Sequence, residues 1–147
     1  MSVLNITVSG AGCGLMSAVD CGEHKVHVDY PVSQGGSGKG PNPMETVLSA
    51  LVGCEQMTAM RVCQMMKIPV ANIEWSATMK LNMETAMGGC PAGQSCEAVH
   101  VTAKVTGEGV TQEQVETLAE KTHGMCPVAS LFRHLPDCEF THEWTLA

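Results

Sequence analysis

The side chains of this 147-residue protein with the greatest capacity for covalent chemistry are its eight cysteines, Cys13, Cys21, Cys54, Cys63, Cys90, Cys96, Cys126 and Cys138. A thiol acts as nucleophile, reductant or metal ligand through its thiolate, so each position is judged by what would stabilise a negative sulfur. Cys126 is followed by Pro127 and the apolar run Val128, Ala129, Leu131 and Phe132. That pattern predicts the N-cap of a short helix, where unpaired amides and the positive end of the helix dipole favour a thiolate. The plain alternative is a small residue standing in for a conventional cap. Cys54 lies about a third of the way along an apolar helical pattern, where burial raises a thiol's pKa. Reactivity there requires a neighbouring cation or donor. Arg61 follows Cys54 by seven residues on nearly the same helical face, and its side chain leans back toward the thiol. Its ordinary reading is a solvated or salt-bridged helix charge. Lys39, Lys25 and His27 are further candidate cations, whereas Glu55 adds a charge that opposes activation if it lies nearby.

The remaining constellations are weaker. Cys90 and Cys96 bracket a Gly/Pro loop at C-x5-C spacing, looser than the pairs of a zinc site. Cys13 and Cys21 can oxidise, coordinate or remain plain thiols, and Cys63 reads as core. The histidines His24, His27, His100, His123, His134 and His142 form no i, i+4 pair. His123 either polarises Cys126 or satisfies carbonyls in the last turn of a helix.

The chain that must position these groups has one domain's worth of residues, 44% of them hydrophobic and 16% charged. That is too apolar for disorder, and no run approaches the roughly 18 apolar residues a membrane span requires. A net charge of −7 with no basic stripe argues against nucleic acid as a partner. The first residues show no charged leader or apolar signal core, so the expectation is a cytoplasmic, reducing setting with free thiols and no need of disulfides for stability. Aromatics are only 3% and methionines number eleven, giving either a plain core of adaptable volume or an apolar pocket.

Alternation predicts strands over Val3 to Val8, Leu15 to Val19 and Lys25 to Tyr30, then a functional or docking loop from Pro31 to Pro43. Asn42 as N-cap, Pro43 at the first helical position and Glu45 at the third form a capping box. The helix it opens runs to about Lys67, before Pro69, with only a narrow polar stripe. A helix so apolar must be wrapped on most sides. Three small strands are too little cover, so the rest of the chain or a second copy must contribute. Strands over Asn72 to Asn82 and Glu97 to Thr106 flank a loop at Met83 to Cys96. Thr111 and Gln114 open a second helix that ends near Thr122 and Gly124, the Cys126 helix follows, and Cys138 to Leu146 closes the chain as a strand. The class is α+β in a single domain over residues 1–147.

The segment Gly40-Pro41-Asn42-Pro43-Met44-Glu45, then Gly53-Cys54 and Met57-Thr58, and the distant Gly124-Met125-Cys126-Pro127-Val128 resemble the OsmC/Ohr family of osmotically inducible and organic hydroperoxide resistance proteins. The element order agrees over nearly the whole chain. The resemblance implies an OsmC-like fold built as an intertwined homodimer, and a thiol-dependent peroxidase of oxidative-stress defence. By position Cys54 matches the peroxidatic cysteine, Cys126 the resolving one, and Glu45 a partner for an activating arginine. It also implies an organic or lipid hydroperoxide substrate, an external dithiol reductant, and no bound cofactor or metal. A redox sensor or apolar-ligand-binding dimer on the same fold is the non-catalytic alternative, and a metal module is a third. Glu45 precedes Cys54 by nine residues, half a turn around and roughly 13 to 14 Å along a continuous helix, so the two cannot touch within it. The chain departs from the hydroperoxide reductase pattern in lacking an N-terminal arginine, since its only arginines are Arg61 and Arg133.

Overall fold

The computed structural model describes residues 3–88 and 95–147. The chain divides into two compact units, Met1–Val47 and Leu48–Ala147. In the first, β1 (Ser9–Cys13), β2 (Met16–Cys21) and β3 (His24–Val28) form an antiparallel meander in the order β1-β2-β3. Its tight turns use Gly14 and Gly22 at φ of 62° and 63°, a region that glycine enters without a Cβ penalty. The first strand is not the alternating segment Val3 to Val8. The register runs from Ser9↔Asp20 to Cys13↔Met16, so pairing with β2 begins only after Val8. Val3, Leu4, Ile6 and Val8 are all exposed.

The glycine-rich segment that follows is fastened rather than loose. Asp29 is buried, and its carboxylate accepts from the Tyr30, Ser37 and Lys39 amides and from the Ser37 hydroxyl. The Ser37 hydroxyl, followed by the three amides, outweighs burial and holds this carboxyl below its usual range. Gly36 and Gly40 pass so close to the carbonyls of Tyr30 and His27 that a Cβ on either would collide with backbone.

The long helix α1 (Pro43–Met66) begins at the predicted cap: Asn42 Oδ1 accepts from the Met44 and Glu45 amides at 2.9 and 3.0 Å, and Glu45 Oε2 accepts from the Asn42 amide at 2.8 Å. In the second unit β4 (Asn72–Leu81), β5 (Cys96–Thr106) and β6 (Glu139–Leu146) form a sheet in that order, β4 and β5 antiparallel, β5 and β6 parallel. A parallel pair needs a crossover, and α3 (Gln112–Met125) with α4 (Pro127–Arg133) supplies it. A one-turn helix, α2 (Met83–Ala86), caps on Asn82 within the segment read as a loop. The Thr111–Gln114 capping box is present, and α3 runs on through Gly124 to Met125.

Strand β5 alternates as a half-buried strand should, with Val99, Val101, Ala103 and Val105 all buried. These side chains divide between two clusters. One joins Ala59, Val62 and Cys63 of α1 with Ile73, Ala103, Val105, Val115 and Leu118; Trp75 packs against it and meets Trp144 edge-on at 5.1 Å. The other gathers Leu51, Val99, Val101, Cys126, Ala129 and Phe132. Cys63 is core, as read from the sequence. Among the described residues no helix is long and apolar enough to cross a membrane.

Candidate active site

The second cluster carries the reactive sulfurs. Cys54 comes from the middle of α1, and Cys126 stands where α3 ends and α4 begins. The Cys126 thiol donates to the Cys54 sulfur at 3.2 Å. Seventy-two residues of sequence thus close on a single sulfur pair, half-buried at Cys54 and buried at Cys126.

The helix-cap geometry predicted for Cys126 is present: its Sγ accepts from the Ala129 amide at 3.4 Å. The activation expected from that cap is not. Burial dominates and pushes the Cys126 thiol up to about 11, with the Ala129 amide pulling the other way and Cys54 and Glu55 reinforcing the rise. A single amide on a helix of about two turns does not offset removal of the sulfur from water. Cys126 is therefore held as a thiol, which is the state a donor to Cys54 requires.

Glu55 is the polar group that the sequence undervalued. It is buried at 1% exposure on the face of α1 that packs into the protein, and desolvation raises its carboxyl to about 7 against the opposing pull of Arg133. Arg133, at the end of α4, is the arginine whose charge reaches this site and also lowers His123 and His142. Arg61 is exposed, so seven-residue spacing did not identify the relevant cation. Among the described residues, Glu55 Oε2, Thr122 Oγ1, His123 Nδ1 and Arg133 Nε are buried without a hydrogen-bond partner.

His123 stands in the last turn of α3, as read from the sequence, and its ring engages β6. Its Nε2 lies 3.3 Å from His142 Nε2, and its ring stacks on Phe140 at 5.6 Å. Burial first, then the charges of His123, Arg133 and His100, lower His142 to about 4. No i, i+4 spacing foretold this pair because one partner comes from a strand. Glu45 stays at the head of α1 as half of the capping box. Cys13 and Cys21 take register positions at opposite ends of β2, opposite Met16 and His24, roughly 17 Å apart along a strand. They cannot pair within one chain. Cys90 lies outside the described residues, and Cys96 faces Cys138 instead, with sulfurs 3.4 Å apart. No group of three or more His, Cys, Asp or Glu able to hold a metal occurs among the described residues.

The family model described as OsmC-like protein matches residues 36–141, which include both site cysteines. The chain belongs to the OsmC-like protein family. Solved structures share the OsmC-like fold over nearly the full length. An OsmC-like protein from Mycoplasma pneumoniae is 13% identical with a TM-score of 0.83, covering 98% of each chain. An organic hydroperoxide resistance protein from Elizabethkingia anophelis is 23% identical, with a TM-score of 0.70 and 97% of each chain covered. A putative organic hydroperoxide resistance protein from Vibrio cholerae, solved with captopril in one of its active sites, is 19% identical with a TM-score of 0.69; the match covers 97% of this chain and 93% of that one. No curated protein sequence matches. The α+β architecture expected for an OsmC-like chain is therefore the one observed.

Proposed function

We propose that this OsmC-like protein is a thiol-dependent peroxidase of oxidative-stress defence, which reduces organic hydroperoxides through a Cys54 sulfenic acid and a Cys54–Cys126 disulfide. The observation that carries this reading is the 3.2 Å sulfur contact with Cys126 as donor. A buried thiol raised to about 11 does not compete for peroxide, so the order of events follows: Cys54 attacks and Cys126 resolves. The Cys54 thiolate takes the distal oxygen of the hydroperoxide, the O–O bond breaks, and the alkoxide leaves. We assign the proton that makes it an alcohol to Glu55, whose carboxyl titrates near neutrality. Cys126 then attacks the Cys54 sulfenic sulfur, its proton leaves with the hydroxyl as water, and a disulfide remains. An external dithiol restores both thiols by two exchanges and becomes a disulfide itself. No bound cofactor enters the cycle. Glu45 enters through the helix it caps, which carries Cys54.

The same reading includes a homodimer. The helix α1 buries Leu51, Glu55, Thr58, Ala59, Val62 and Cys63 but leaves Met57, Met65 and Met66 exposed. Leu131 on α4 and the unpaired apolar residues Val3 to Val8 are exposed as well. A second copy is the cover we assign to them. The described cysteines are all free, which fits a reducing cytoplasm.

Steady consumption of cumene hydroperoxide with dithiothreitol tests the cycle. Cys54→Ser is expected to abolish it, and Cys126→Ser to trap a dimedone-reactive sulfenic acid at one equivalent per chain. Consumption that survives Cys54→Ser would sink the proposal. A sensor without turnover is the second reading, favoured by the Glu55 carboxyl, whose charge opposes thiolate formation at Cys126. Stoichiometric, reversible disulfide formation with no steady turnover is its signature.

A further inference from the structure

A second sulfur pair stands apart from the proposed cycle. Cys96 opens β5 and Cys138 immediately precedes β6, and the parallel pairing of these strands from Ala98↔Glu139 onward brings their beginnings together. The two sulfurs lie 3.4 Å apart although 42 residues separate them in sequence. Both are half-buried free thiols packed at the margin of the second apolar cluster, reachable by a small reagent where Cys126 is not. A disulfide requires sulfurs about 2.05 Å apart, so closure asks for a movement of roughly 1.4 Å, within the reach of side-chain rotation.

We propose that Cys96 and Cys138 are a second redox site, a dithiol that takes up oxidising equivalents from small-molecule disulfides and closes into an intramolecular disulfide joining the starts of β5 and β6. The Cys138 thiolate attacks the small disulfide, breaking its S–S bond and releasing one thiolate while a mixed disulfide forms. Cys96 then loses its proton, attacks the Cys138 sulfur and expels the second thiolate. The chain gives up two electrons and two protons; the small disulfide is reduced to two thiols. Burial and the neighbouring Cys138 push Cys96 up to about 11, which suits it to the second step rather than the first. The product ties a loop of more than forty residues across a parallel strand pair, a constraint that acts chiefly on the unfolded chain.

The test uses full-length Cys54→Ser/Cys126→Ser protein, so failure of the proposed peroxidase cycle cannot affect it. Cys90→Ser is added because Cys90 and Cys96 share one tryptic peptide between Lys80 and Lys104. After exposure to oxidised glutathione and alkylation, peptide mapping should find Cys96 joined to Cys138 with no glutathione retained. The thermal midpoint should rise by roughly 5 to 10 °C and return on reduction. The same crosslink should appear in the unsubstituted chain, which guards against a substituted protein that fails to fold. In the substituted protein, a stable glutathione adduct, a crosslink between other cysteines, or a Cys96 and Cys138 that stay fully alkylatable would each overturn the proposal.

Discussion

At the scale of single residues, the unexpected feature is a buried carboxyl and a half-buried imidazole whose titrations run in opposite senses. The carboxyl of Glu55 is raised from 4.5 to about 7, so the folded state holds its proton longer than the unfolded chain does. Its contribution is fully present below pH 4.5 and is lost as pH rises through about 7, at a cost on the order of 3 kcal/mol. The imidazole of His142 is lowered from 6.5 to about 4, so its contribution is present above pH 6.5 and is lost as pH falls through about 4. Between pH 4.5 and 6.5 the two slopes oppose. Glu55→Gln should therefore expose a steeper loss of stability toward acid, and His142→Phe a steeper loss toward neutral pH, in urea unfolding measured across pH 4 to 8. Parallel profiles for the two variants would contradict the assignment. Arg133 belongs to the same scale: its charge reaches Glu55, and Arg133→Gln should raise the Glu55 pKa further and lower kcat/KM for a hydroperoxide by tenfold or more, on the order of 1.4 kcal/mol.

At the scale of elements, α1 shows which sequence signals are trustworthy. Its start was legible because capping is local: Asn42 and Glu45 accept from amides within one turn, and Pro43 has no N–H to satisfy. Asn42→Ala should cost about 1 kcal/mol in unfolding free energy. Glu45→Gln preserves an acceptor for the Asn42 amide, so the cap's own contribution should hold within about 0.5 kcal/mol. A large fall in peroxide turnover in that variant would give the Glu45 charge a role beyond the cap. The first strand was not legible, because strands need partners and hydrophobic alternation names none. Val3 to Val8 alternates well yet lies beyond the end of β2, while the unpromising Ser9–Cys13 pairs because the Gly14 turn folds it back. Composition marked the glycine-rich segment as a functional or docking loop; it did not reveal that Gly36 and Gly40 serve close backbone approach and that Asp29 pins the rest.

At the scale of the whole molecule, Met57, Met65 and Met66 of α1 and Leu131 of α4 are exposed apolar residues for which a second copy is the proposed cover. The homodimer reading predicts twice the chain mass by sedimentation at micromolar concentration, and Leu131→Glu should shift the population toward monomer. A monomeric mass for the unsubstituted protein would remove the proposed cover for α1.

Sequence by itself determined where α1, α3 and α4 begin, the alternation of β5 and β6, the capping residue at Cys126 and the family resemblance, all of which rest on contacts a few residues long or on backbone periodicity. Only the tertiary structure decided which sulfurs meet and what state they hold. Cys126 carries every local mark of an activated thiol, yet closure of α1 against α3 and α4 removes it from water, and desolvation exceeds what one amide returns. Cys96 finds Cys138 as its neighbour because a parallel strand pair, invisible to any local pattern, sets their beginnings side by side. Charge and redox state depend on what surrounds an atom in space, and the neighbours of these sulfurs come from distant parts of the chain.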